Sequence, residues 1–121
     1  MIGKAIFTAF FFTALAHAGL ETEIAQQQET EKQLRMELEA QKDLAEHAYK
    51  EVVEFASTSP TNHEEQVKRL EEAFKVWDDF IEKTCRAEAL ESIGTRAEQA
   101  NKLDCMIKRY KEKEAYFNST I

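Results

Sequence analysis

The sequence predicts an all-α fold: a small antiparallel bundle of three helices, with a disulfide stapling helix 2 to helix 3 and a first helix that extends beyond the others. Three observations predict it. From Gly19 onward the only proline is Pro60 and the only further glycine is Gly94, so two breaks leave three segments. Within each segment apolar residues recur in steps of three and four, the period of a helix with one buried face. No stretch alternates apolar and polar residues as a half-buried strand would.

The chain opens with MIGKAIFTAFFFTALAHA, in which Lys4 precedes an apolar run from Ala5 to Leu15 and then the small-residue group Ala16, His17, Ala18. That is the layout of a secretory signal peptide over residues 1–18, with cleavage after Ala18. The run is too short for the roughly twenty apolar residues of a membrane-spanning helix. The residue after the cleavage point is Gly19, not the cysteine that a lipid anchor would need. A mature chain starting there suits one small domain, expected as a helical extension over 19–40 and a helical domain over 41–121. Loss of Lys4 takes the formal charge from −7 to −8. Acidity of this size disfavours nucleic acid and anionic membrane surfaces and permits a cationic partner, with simple solubility the plainer reason for it.

In the first helix Leu34, Leu38, Gln41, Ala45, Ala48, Val52 and Phe55 form one seam. Extended backward, the same register meets Glu31, Gln27 and Ile24, so residues 20–30 are expected to fray or protrude. Ser57 to Asn62 make a turn-rich connector, with Pro60 suited to the first helical position and Ser59 or Asn62 to the cap. The second stripe runs Val67, Leu70, Phe74, Trp77, Ile81 and then Thr84 or Cys85, and Gly94 can close the helix in a left-handed conformation. Thr95 and Glu98 have capping-box spacing for a third helix, whose face is Ala100, Leu103, Ile107, Tyr110 and Phe117. Charge pairs four apart, Glu46–Lys50, Glu65–Arg69, Glu71–Lys75 and Asp104–Lys108, solvate the outer faces.

The only two cysteines, Cys85 and Cys105, lie ten residues before and ten after Thr95. Across an antiparallel hairpin that places them at matching heights, and an exported chain would keep them oxidised. A metal pair or a reactive thiol is the competing reading, but neither a CxxC motif nor a nearby histidine accompanies them. Trp77, two turns before Cys85, is expected to pack below the crosslink.

The interval from Lys75 to Cys105 resembles the lysozyme inhibitor LprI-like N-terminal domain family, small exported bacterial helical domains. Trp77 and Cys85 carry the family's eight-residue spacing, Gly94 and Thr95 its link, Cys105 its second cysteine, and Lys113 and Phe117 its later basic and apolar positions. Tyr49 and Pro60 fit the earlier helix and turn. Phe74 stands where the family usually has glutamine, Ile81 where arginine is usual, and an N-terminal cysteine pair is missing. The match covers about three-quarters of the mature chain and leaves out residues 20–40. It implies a periplasmic or secreted, non-catalytic binding protein without metal or cofactor, whose partner would be a cationic lysozyme-like hydrolase.

The residues alone offer little chemistry. His47 and His63 lie on different segments, and Ser57, Ser59 and Ser92 sit in connectors without a glycine-framed nucleophile turn, so both groups read as surface and capping residues. Carboxylates are spread along the chain without an identifiable catalytic pair. The expected contact surface is therefore an acidic helix face or the Glu91–Thr95 link. The alternative is a structural role in which residues 20–56 pair with a copy of themselves or with another envelope protein.

Overall fold

The structure is a computed structural model that describes the backbone of residues 2–120 and the side chains of residues 19–120. The side chains of residues 1–18, where a signal peptide with cleavage after Ala18 is expected, lie outside the described residues. Helix α1 spans Ile2–Ser57, α2 His63–Glu88 and α3 Glu98–Ser119, with a short 3-10 turn, Leu90–Ser92, between α2 and α3. Three helices and a Cys85–Cys105 disulfide joining α2 to α3 make this the stapled all-α bundle that the sequence predicts.

Side-chain pairs fix the directions. On α1 and α3, Gln27 Nε2 donates to the Arg96 carbonyl (2.6 Å), Gln41 Nε2 donates to Glu114 Oε2 (2.8 Å), and Val52 packs in one cluster with Phe117. Residue numbers rise together, so α1 and α3 are parallel. Against α2 they fall: Tyr49 stacks on Phe74, while Leu38 shares a cluster with Cys85. α2 therefore runs antiparallel to both. The most extensive contact is between α1 and α3, not within the stapled hairpin.

The α1 seam buries Leu38, Gln41, Ala45, Ala48 and Val52 as its period dictates. At the last step the pattern changes: Phe55 is 64% exposed and Ala56 is buried in its place. An α-helix turns 3.6 residues per revolution, so a stripe in alternating threes and fours drifts round the axis and needs an occasional extra four. Leu34 and Leu38, from the expected 19–40 extension, pack in the main core, and α1 is continuous through residue 40. Before them only Gln27 and Glu31 are partly covered, and residues 19–26 are exposed helix.

The connector differs in detail from its reading. Pro60 stays outside the helix, which starts at His63. Asn62 takes a left-handed conformation, φ 56°, and caps with its main-chain oxygen to Gln66 N–H (2.9 Å), with no side-chain cap. Asparagine tolerates that region better than most residues. Gln66 folds its side chain back, donating from Nε2 to the Thr61 carbonyl at 3.2 Å.

α2 stops at Glu88, before Gly94, because the 3-10 turn intervenes. Gly94 then takes φ 75°, where its missing side chain is needed for conformation alone, since a Cβ there would meet nothing within 4 Å. The capping box forms in a shifted version. Thr95 Oγ1 accepts from Ala97 N–H (3.3 Å), while Glu98 Oε2 accepts from Gly94 N–H (2.9 Å) in place of Thr95 N–H.

Of the four charge pairs, Glu46–Lys50, Glu65–Arg69 and Asp104–Lys108 form ion pairs. Glu71 and Lys75 form none among the described residues. No helix among the described residues is long and apolar enough to cross a membrane.

The disulfide closes a separation of 20 residues with its Cα atoms 5.6 Å apart, and Cys85 is wholly buried beside Ile81, Leu103 and Ile107. Closing a loop of this size removes unfolded-state entropy worth about 3 kcal/mol. Reduction is therefore expected to lower the thermal midpoint by roughly 10–25 °C for a domain of this size. Melting followed by circular dichroism with and without a phosphine reductant checks this; equal midpoints would contradict it.

Candidate functional site

Position 113 is where the α3 face lacks an apolar residue between Tyr110 and Phe117, and the structure buries Lys113 there, 2% exposed. An ammonium group leaves water at a large cost unless it is paired. Lys113 Nζ donates to Asp78 Oδ1 at 2.9 Å and lies 3.5 Å from the centroid of the Phe74 ring, over its negative face. Tyr110 donates its hydroxyl to the same Asp78 oxygen at 2.9 Å. Asp78 itself is half-exposed and caps the arrangement from the surface of α2.

Burial raises the Tyr110 phenol well above its ordinary value, helped by the hydrogen bond to Asp78, which would become a repulsion if the phenol ionised. Tyr49 is raised too, by burial first and then by the charge of Glu71. Asp78, Tyr110 and Lys113 line neither the cleft at the α2–α3 link nor the clefts beside Trp77 and Phe55. The ammonium is buried, and the triad holds α2 to α3.

A tier of rings continues outward from Lys113. Tyr49, Phe74 and Phe117 pack with centroids 4.2–6.1 Å apart, Phe117 being wholly buried. Tyr116 meets Phe117 edge to face at 5.1 Å, then Trp77 at 5.7 Å, and Trp77 meets Phe80 edge to face at 5.9 Å. Trp77 thus joins both core clusters and ends on the surface.

Around it Val76, Phe80, Tyr116 and Phe55 are 66%, 47%, 44% and 64% exposed. Two adjoining shallow clefts share Arg69, Ala73 and Tyr116, so these residues form one apolar face across all three helices. Sequence reasoning missed it, although Ala73, Val76 and Phe80 repeat in a three-four pattern one residue off the core stripe.

Charge is distributed unevenly over the chain. Between residues 19 and 57, nine glutamates and Asp43 face only Lys32, Arg35, Lys42 and Lys50, a net of −6. Most of the acidity therefore lies on α1, whose last turns carry Phe55 into the apolar face.

Cys85, Cys105 and Glu88 are close enough to suggest a cation site, with Glu88 Oε2 3.0 Å from Cys105 Sγ. Disulfide sulfurs carry no thiolate charge, so this grouping is not a metal ligand set. Glu88 instead accepts from Arg109 Nη2 at 2.8 Å, a second tie between α2 and α3. His47 sits on the outer face of α1 against Glu51 (3.0 Å), and His63 is exposed at the start of α2. Ser57, Ser59 and Ser92 each donate to a nearby backbone carbonyl in a turn. The structure does not bring these histidines and serines together. Neither a family model, nor a curated protein, nor a solved structure matches the chain.

Truncating the two ends of the ion pair is expected to have unequal effects. Asp78→Ala leaves a buried ammonium without its counter-charge, a loss of 3–5 kcal/mol in fully buried pairs and roughly 2 kcal/mol here because Asp78 is half-exposed. Lys113→Met fills the same space with an apolar chain and is expected within about 1 kcal/mol of wild type. Denaturant unfolding of both variants and the double variant checks this. Equal losses from the two single changes would contradict it.

The raised phenols favour the folded state while protonated. Their contribution is complete below the unfolded tyrosine value near 10 and disappears as pH climbs through the higher folded values. Absorbance titration at alkaline pH is expected to show phenolate appearing later in the native chain than in denatured chain.

Proposed function

We propose that this chain is a non-catalytic binding protein of the cell envelope whose partner is a cationic protein, a lysozyme-like wall hydrolase on the resemblance described above. The observation that carries the reading is the apolar face of Phe55, Val76, Phe80 and Tyr116 lying beside an acidic helix. Contiguous exposed aromatic surface on a small domain is characteristic of protein contacts, and such residues tend to dominate binding energy. The charge on α1 would steer a basic partner and speed its association. Export is supported by the layout of residues 1–18 and by the disulfide, which persists in oxidising compartments. The Glu91–Thr95 link is the competing contact surface, since Leu90 and Ile93 are exposed there.

A second reading is self-association through α1, favoured by the exposure of Leu20 and Ile24 on its 19–26 stretch. A concentration-independent monomer in sedimentation would remove it.

For the main reading, the mature chain is expected to bind a cationic lysozyme at low ionic strength. Half-molar salt should weaken the complex by about tenfold or more, because exposed charges are then screened within a few ångströms. Phe80→Ser combined with Tyr116→Ser should cost about 2 kcal/mol, roughly 30-fold, while Leu90→Ser should change little. Titration calorimetry measures all three. Absence of any complex at low salt sinks the proposal, and loss through Leu90→Ser alone moves the contact to the link.

A further inference from the structure

The chain has five arginines, and three of them are bonded to carboxylates: Arg35 to Glu31, Arg69 to Glu65, and Arg109 to Glu88 and Glu112. The remaining two, Arg86 and Arg96, form no ion pair among the described residues, and both line the same cleft. In an acidic chain with many carboxylates to spare, two unpaired guanidinium groups in one concavity are informative. The cleft lies where α1, the end of α2 and the start of α3 converge, and its volume is about 690 Å³. That is within the size range of small-molecule sites.

The lining also contains Lys83 and Lys102, each paired with a single carboxylate, Asp79 and Glu82 respectively. Its two acids are already engaged. Glu31 accepts from Gln27 and Arg35, and Glu98 accepts from Gly94 N–H. Counted with the ion-pair partners Asp79, Glu82 and Arg35, the group holds five cations and four carboxylates, and its one excess positive charge comes from Arg86 and Arg96, on a protein of net charge −7.

The walls are held in place. Gln27 Nε2 on α1 donates to the Arg96 carbonyl at 2.6 Å, and the Glu98 contact fixes the turn that carries Arg96. Arg86 projects from α2 and Arg96 from the link, so an anion between them meets donors from two elements. A lone carboxylate has only two oxygens to offer, whereas a phosphate group presents three and up to two charges. Two planar guanidinium forks match the latter better.

We propose that this cleft binds a small phosphate ester, its phosphate held between Arg86 and Arg96, with the ion-paired Lys83 and Lys102 lining the rim. The site lies at the opposite end of the bundle from Phe55 and Tyr116 and does not depend on the binding reading above.

The test uses the mature chain, oxidised, in low-salt buffer free of phosphate. Inorganic phosphate, glycerol 3-phosphate and acetate are titrated separately and followed by nitrogen–proton NMR, including the arginine side-chain Nε–H signals. Both phosphate compounds should shift the Arg86 and Arg96 signals and those of neighbouring link amides, whereas acetate at equal ionic strength should not. Arg86→Gln with Arg96→Gln should weaken phosphate binding at least tenfold while leaving the circular dichroism spectrum and any lysozyme complex unchanged, since both side chains are exposed. No phosphate binding, equal response to acetate, or full affinity in the double variant would overturn the site. Binding of inorganic phosphate with exclusion of the ester would overturn the ligand class.

Discussion

The crosslink between Cys85 and Cys105 is the constraint on which the bundle rests, because the core around it is thin. Four of its buried apolar residues are alanines, Ala45, Ala48, Ala56 and Ala89, and these remove little apolar area from water. α2 contributes only Ile81 and Cys85 as fully buried side chains. Its other stripe residues, Val67, Leu70, Phe74 and Trp77, are half-covered. A helix held by so little burial would separate easily from its neighbours. The covalent tie at one level and the Lys113–Asp78–Tyr110 contacts about two turns away fix α2 against α3, so that the pair meets α1 as a unit.

The alanines have a second effect. Small residues on the α1 seam leave room for large ones from α3, and Phe117, Ile107 and Leu103 fill that space. This accounts for the parallel α1–α3 contact being more extensive than the contact inside the hairpin. The same asymmetry leaves the outer side of α2 uncovered. Val76 and Phe80 are apolar residues without a helix to bury them, and they define the face next to Trp77.

Much of this was legible in the sequence. Helix number, the α1 seam from Leu34 to Val52, the α2 stripe and the disulfide all follow from periodicity and spacing, which are local and repeated. What was not legible depends on tertiary placement. Phe55 and Ala56 exchange roles because the seam drifts by a fraction of a turn, and residue type alone favours the phenylalanine. Lys113 is charged by type, yet the gap between Tyr110 and Phe117 marks its position as inward-facing; only Asp78 from another helix makes that burial tolerable. Arg86 and Arg96 differ from the other arginines solely by what their neighbours fail to supply. The end of α2 was misplaced because a 3-10 turn can precede a left-handed glycine, and nothing in Leu90–Ile93 distinguishes it from a continuing helix.

The length of α1 has a geometric consequence. At 1.5 Å per residue, the rod separates Gln27 at the positive cleft from Phe55 at the aromatic face by about 42 Å. Two bodies seated at the two ends would not collide, and neither would screen the other's approach. The rod holds the two surfaces apart by more than the diameter of a small domain.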